Sequence, residues 1–436
     1  MSEARFIPLS DVGLPSQESR LPFTSILVGI FVLGAVTVSA MEGWNYLVKA
    51  LGVLLAAAYL ISSVRSRLLP SGEMILYLIW VTWSLTGVFV ARSGVLFWLM
   101  WTTVFQMWVL IVVIAGFTNT RRALSFGLGA FLLGAIIVGA YSVFTGEYQQ
   151  AAMEEERVSG LASNANEFGW IMLLATAVMA YFWMLPTRLR VLKYVVLAAG
   201  MGALALAIVY SGSRKAILGV MAFYPAWVWW CYRKEMLRRP ALALSALAAV
   251  GLVVAGVILF ARELPVAARF RETWTSIGGG AAGEGTMARL WLYQEAWRIF
   301  LKYPFVGVGL NHYQMHAVQG INPHSEYAGV LCDTGLVGAV LYLSIFVVLW
   351  RRAGKIIAHS RDPHAARVAG LVRAFLVIVL LVAFGRENTY DKSLWLVLGT
   401  FIGYTGAVWH DLRARLAADA GVAQAGDLLR APAQAT

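Results

Sequence analysis

Four stretches of this chain gather side chains suited to an anionic, oxygen-rich ligand: Arg157, the turn Ser211-Gly212-Ser213-Arg214-Lys215, Arg289, and Asn322-Pro323-His324-Ser325-Glu326-Tyr327 just ahead of an apolar run. Arginine presents a planar fork of donors that pairs bidentately with phosphate and does not deprotonate. Several such groups converging at headgroup level suit a diphosphate, and a lipid-linked pyrophosphate fits. Taken singly, each arginine reads equally well as an interface anchor or a loop ion pair. Imidazole titrates near neutrality, so His324, held in the rigid turn after Pro323, suits taking a proton from an attacking hydroxyl. The alternative is a histidine that caps the following helix through hydrogen bonds.

Around these groups stand candidate supporting residues: Lys215, Ser213, Asn166, Glu326 and Tyr313. His312 and His316, four apart, raise a metal site together with His324 and Asp333. Their spacing matches no tight ligand motif and no acid lies between them, so neither a metal nor another cofactor is expected. Gly307-Val308-Gly309 before Asn311 reads as a tight turn, because a dinucleotide loop needs a strand before it.

The elements that must position these residues are apolar. Of the 436 residues 60% are hydrophobic and 13% charged, and the mean hydropathy of +0.70 is more than a water-soluble surface of this size carries. Spanning helices need about 20 mainly apolar residues. That rule predicts an all-α integral membrane protein of about twelve transmembrane helices, near 23–41, 46–64, 73–91, 95–117, 123–145, 166–185, 194–210, 216–232, 241–261, 327–350, 368–384 and 394–410.

Basic residues set the orientation. With both termini cytoplasmic, the inside loops hold Arg65 and Arg67, Arg121 and Arg122, Arg188, Arg190 and Lys193, Arg233, Lys234, Arg238 and Arg239, and Arg351, Arg352, Lys355, Arg361 and Arg367. The expected organisation is a cytoplasmic segment 1–22, a polytopic domain 23–410 that includes an outer, helical loop region 262–326 between the ninth and tenth helices, and a cytoplasmic tail 411–436, poorly ordered after Arg413. The net charge of +12 is scattered between apolar runs and makes no nucleic-acid-binding face. No cleavage-type site precedes the first apolar run, so that helix is expected to stay. Few ionisable residues lie deep in a span, Lys49 and Arg373 coming nearest, which argues against an ion-coupled transporter. In the outer loop Met287, Leu290, Trp291, Gln294, Trp297 and Leu301 recur at helical spacing near Arg289, Arg298 and Lys302, as in an interfacial amphipathic helix, with the Gly-rich stretch 278–285 as its hinge. Cys231 and Cys332 fall near opposite ends of their segments, too far apart to bridge.

RVSGLASNANEFG at 157–169, SGSRKAILG at 211–219, ARLWLYQEAWRIFLKYPFVGVGLNHY at 288–313 and NPHSEYAGVLCDTGLVG at 322–338, in this order, resemble the O-antigen ligase and polymerase superfamily of bacterial envelope glycosyltransferases. The likeness is nearest to the O-antigen ligases. It implies a GT-C-type, metal-independent transferase in the bacterial inner membrane, with its active site facing the periplasm. Such an enzyme takes a glycan from undecaprenyl diphosphate and gives it to a sugar hydroxyl of the lipid A core in lipopolysaccharide assembly. By the resemblance Arg214 and Arg289 bind diphosphate and His324 activates the acceptor, while Arg157 and Asn166 stand in a matching motif, Arg157 with the diphosphate ligands. The expected partners are the lipid-linked donor, the lipid A core and membrane lipids, with no nucleic acid. The alternatives are a polymerase that extends lipid-linked repeat units, a protein O-oligosaccharyltransferase, which tends to be longer, and, in another class, a transporter of lipid-linked glycans.

Overall fold

The computed structural model describes residues 23–37, 45–66, 71–145, 161, 162, 164–238 and 284–430. Arg157, the expected span 241–261 and most of the Gly-rich stretch 278–285 lie outside them. Among the described residues every regular element is a helix: α1 (Phe23–Thr37), α2 (Asn45–Ser66), α3 (Gly72–Ser84) continued by a 3-10 turn (Leu85–Phe89), α4 (Gly94–Phe117), α5 (Arg121–Phe144), α6 (Ala165–Met184), α7 (Arg190–Tyr210), α8 (Arg214–Arg238), α9 (Glu284–Lys302), α10 (Tyr313–His316), α11 (Glu326–His359), α12 (Pro363–Val382) and α13 (Lys392–Arg430). Among the described residues seven stretches are long and apolar enough to cross a membrane: Gly72–Phe89, Gly94–Phe117, Arg121–Ser142, Ala165–Met184, Arg190–Tyr210, Glu326–His359 and Pro363–Val382. The other expected spans fall on helices that are shorter or more polar, or outside the described residues.

The bundle is organised around helices that are apolar on all sides. In α6 every residue from Phe168 to Tyr181 is buried, and α12 and the first part of α13 are nearly as enclosed. α6 packs on α5, α7 and α8, while α12 lies along α8 and α11, and α13 along α4. An aromatic cluster ties α3, α11 and α13 together, with Tyr77 edge-on to Trp395 at 5.0 Å and Trp80 5.0 Å from Tyr342. α8 and α12 run antiparallel. Cys231 Sγ donates to the Arg367 carbonyl at 3.3 Å, and at the other end of the same pair Lys215 lies against Gly385, where an added Cβ would stand 2.9 Å from Lys215 Cε. The start of α8, the start of α11 and the α12–α13 loop therefore share one end of the bundle. The α6–α7 turn, the end of α8 and the α11–α12 turn share the far end.

Several expectations need correction. α13 continues as helix to Arg430, beyond the expected end of the last span and through much of the tail expected to lack order. The scarcity of buried charge does not hold either: Glu73, Glu326, Asp333 and Arg352 are all buried. Arg352, counted above among loop cations, points back into the bundle, donating to Glu73 Oε2 at 2.8 Å and to Thr405 Oγ1 at 2.9 Å. A guanidinium about two turns before a helix end is invisible to a loop-based reading when its side chain folds inward. In α9 the stripe seen in the sequence is the outward face: Leu290, Trp297 and Leu301 are exposed, whereas Leu292, Glu295, Ala296 and Ile299 are buried.

Candidate active site

The site is built on a break in α11. Gly335 has φ 67° and ψ −174° inside the helix, a left-handed conformation open to glycine and unfavourable for other residues. An added Cβ would meet the Phe305 carbonyl oxygen at 2.1 Å. The loop after α9 supplies what the helix loses here. Val308 N donates to Cys332 O at 2.8 Å, Gly309 N to Asp333 O at 3.0 Å, and Leu336 N to Pro304 O at 2.8 Å. Irregular backbone inside an apolar helix is tolerated where protein satisfies its amides, as the loop after α9 does here. Gly307-Val308-Gly309 is accordingly a tight turn, with φ 73° at Gly307 and 98° at Gly309. The Asp333 side chain holds the next residue, accepting from Asn311 N at 2.7 Å.

His324 precedes the first turn of α11 with φ 50°, uncommon for a residue with a side chain and indicative of a conformation imposed by its surroundings. Its side chain is exposed, while Pro323 before it and Ser325 after it are buried. The capping role belongs to Ser325, whose hydroxyl accepts from Ala328 N at 3.5 Å. The histidine is thus presented by a strained turn ahead of an independently capped helix.

Glu326 fixes the opposite wall. Its amide donates to Ala383 O at 2.9 Å and Arg386 O at 3.2 Å, and its carboxylate accepts from Asn388 N, from Thr389 N at 3.2 Å and from the Thr389 hydroxyl. The loop between α12 and α13 is therefore latched to the His324 turn. Arg386 pairs with Asp391 and stacks over Trp170 of α6, 5.5 Å from the ring centre. Asp391 caps α13 through Leu394 N at 2.9 Å.

Together these loops enclose a narrow cleft, lined among others by Asn322, Glu326, Asp333, Glu387 and Tyr390. Asp333 Oδ1, the Tyr390 hydroxyl and Trp80 Nε1 are buried without a hydrogen-bond partner among the described residues, and all three residues line the cleft. Donors and acceptors held this way suit a ligand rich in hydroxyls. Burial, with the nearby Glu326 carboxylate adding to it, pushes the Glu387 carboxyl up to about 7, while Arg386 and Lys215 pull the other way.

Of the residues expected from the sequence, Lys215 and Glu326 meet the α12–α13 loop, with His324 two residues before Glu326 in the chain. Arg214 is the first residue of α8 and is half-buried. Its turn is compact: Ser211 Oγ donates to Ile208 O at 2.6 Å and accepts from Ser213 N at 3.1 Å. Gly169 of α6 packs against it, and an added Cβ there would stand 2.8 Å from Ser213 Cβ. Ser213 is buried and shapes the turn. Asn166 lies on the exposed first turn of α6, which Asn164 caps by accepting from Glu167 N at 3.0 Å. Tyr313 lines the cleft, but its hydroxyl donates to Leu292 O at 2.9 Å, tying α10 to α9. Arg289 lies on α9 with its side chain outside the described residues.

His312 has a different task from the one its spacing suggested. It is fully buried, with Nδ1 2.8 Å from Leu310 O and Nε2 3.0 Å from Ser93 O, pinning the loop to the start of α4. Burial, then Arg92, His312 and Lys302, lower the pKa of His316. No cluster of three metal-ligating side chains occurs among the described residues.

Arg386, Glu387 and Tyr390 were missed by the sequence reading. The signal was present, since Gly385-Arg386-Glu387-Asn388-Thr389-Tyr390-Asp391-Lys392 is an unbroken interruption between two apolar runs. Nothing in sequence spacing connected it to His324, some sixty residues earlier in the chain.

Residues 199–343, about a third of the chain, match the family model described as O-antigen ligase, a stretch that holds Arg214, Lys215, Arg289, His324 and Asp333. No curated protein matches the chain.

Proposed function

With the O-antigen ligase family signature across residues 199–343 as premise, we propose that this multi-pass membrane protein is a ligase that transfers a glycan from undecaprenyl diphosphate to a sugar hydroxyl of the lipid A core. The reading places about twelve spans in the bacterial inner membrane, with 1–22 and 411–436 cytoplasmic and the cleft, with the loop region 262–326, facing the periplasm. The observation that carries it is His324, exposed and held at φ 50° beside a polar cleft while Ser325 caps the helix.

In this mechanism the acceptor hydroxyl loses its proton to the His324 imidazole as its oxygen bonds to the anomeric carbon of the donor glycan. The bond from that carbon to the diphosphate oxygen breaks, and the electron pair leaves with undecaprenyl diphosphate. Arg214 and Arg289, with Arg157 and Lys215, hold the diphosphate and stabilise the charge growing on the leaving oxygen; preorganised cations act strongly at a site shielded from water. Asp333, Tyr390 and Glu387 orient sugar hydroxyls, and Asn166, on the first turn of α6, supports the site. In-line attack inverts the anomeric centre, and a product of retained configuration would refute this course.

Purified full-length protein incubated with lipid-linked glycan, with and without lipid A core, tests the reading. Transfer to core supports a ligase, and elongated lipid-linked chains without core would replace it by a polymerase. A second reading, transport of lipid-linked glycans, draws support from the broken α11 and its buried Asp333, the arrangement by which transporters line a pathway. Glycan transfer in detergent, where no second compartment exists, excludes transport as the sole activity.

A further inference from the structure

A second cavity, of about 530 Å³, lies at the far end of the bundle, between the α6–α7 turn, α8 and the α11–α12 turn. At 1.5 Å per residue, Arg367 in its wall is roughly 24 Å along α12 from Ala383, which bonds to Glu326. The two sites do not overlap.

Arg190, Lys193 and Arg367 line this cavity. Arg190 makes no hydrogen bond or ion pair among the described residues. Lys193 Nζ donates to Trp183 O at 2.7 Å and to Leu185 O, leaving one of its three N–H groups. Arg367 is stacked 5.5 Å from the Tyr232 ring centre and gives one donor to Glu235 at 3.3 Å, leaving most of its fork unused. The acid in the wall, Asp362, is already neutralised by Arg121 and accepts from His364 N at 3.0 Å and Ala365 N at 3.3 Å. The cavity is therefore net cationic, with donors to spare.

Directly beside it α7 turns an apolar face outward, with Val191, Leu192, Val195 and Val196 exposed by 79%, 57%, 60% and 59%. A cationic hollow continuous with an apolar helix face matches a molecule with an anionic head and hydrocarbon chains. A free phosphate would use only the hollow. Basic pockets between membrane helices on the cytoplasmic side bind anionic lipid headgroups, and the distribution of Lys and Arg puts this end on that side.

We infer that this cavity binds the phosphate headgroup of an anionic phospholipid, with Arg190, Lys193 and Arg367 as its ligands and the exposed face of α7 as the bed for its acyl chains.

The test uses the full chain, delipidated in neutral detergent, and follows its thermal midpoint while dioleoylphosphatidylglycerol, dioleoylphosphatidylcholine or glycerol 3-phosphate is added. A saturable rise is expected with phosphatidylglycerol alone. Arg190→Gln, at an exposed position without a partner, and Arg190→Gln/Arg367→Gln are each expected to need about tenfold more of that lipid for the half-maximal rise. Lys302→Gln at the other end of the bundle is expected to leave the titration unchanged. An equal rise with phosphatidylcholine, an unaltered titration in Arg190→Gln, or a rise reproduced by glycerol 3-phosphate would each overturn the inference.

Discussion

Glu73 and Glu326 are buried to nearly the same extent, 1% and 3% exposed, at opposite ends of the bundle, yet their surroundings differ in kind. Glu73 meets the guanidinium of Arg352, itself tied to Thr405. Glu326 meets no cation among the described residues and is held by two backbone amides and a hydroxyl from the α12–α13 loop. At the far end a buried charge is cancelled and joins three helices. At the other end two further carboxyl groups, Asp333 and Glu387, stand around the same cleft, and loops supply the donors. A cancelled pair carries no net charge, whereas an acid held by amides and a hydroxyl brings no cation with it. The contrast separates a structural end from a chemical one.

The sharpest way to break this contrast is His324→Ala. General-base catalysis contributes roughly 100- to 10,000-fold, so transfer to lipid A core is expected to fall by at least about 100-fold with the thermal midpoint unchanged. Full transfer by the folded variant would remove the chemical role from this end. Next comes the structural end. Glu73→Gln leaves Arg352 buried and unpaired and is expected to cost about 3–5 kcal/mol in denaturant unfolding, while Glu73→Gln/Arg352→Met restores most of it. A single variant as stable as the parent would show that the pair does not hold the helices.

Smaller effects refine the picture. Glu387 binds its proton more tightly folded than unfolded, so between pH 4.5 and about 7 the folded state carries more protons and stability falls as pH rises. Glu387→Gln is expected to flatten that fall in midpoint-against-pH curves; an unchanged slope would place the titration elsewhere. Smallest is Ser325→Ala, expected to cost about 1 kcal/mol for the lost cap while transfer persists. Transfer lost in Ser325→Ala and kept in His324→Ala would exchange the two roles.

Much of the fold was legible because apolar runs of spanning length announce helices, and α4, α5 and α6 begin and end within a few residues of expectation. What escaped depended on partners distant in sequence. Nothing around Gly335 shows that it must accept the Phe305 carbonyl, so α11 reads as one continuous helix. Arg352 sits among basic residues and reads as a topology signal until Glu73, far upstream, is seen beside it. The turn around His324 was legible as a polar interruption before an apolar run, whereas the residue that caps the helix, Ser325, could be assigned only from geometry. Glu387 was overlooked because its significance comes from the Glu326 latch.

The seam in α11 also divides the molecule mechanically. Residues 326–334 are bonded to the loop after α9 and to the α12–α13 loop, and residues beyond Gly335 pack into the bundle on α3 and α12. The segment that follows His324 is thus held by loops, and the longer segment by helices. The 303–313 loop grips both sides of the seam, through the amides of Val308 and Gly309 to Cys332 and Asp333 and through the Pro304 carbonyl to Leu336, so a shift of that loop is carried into both segments at once.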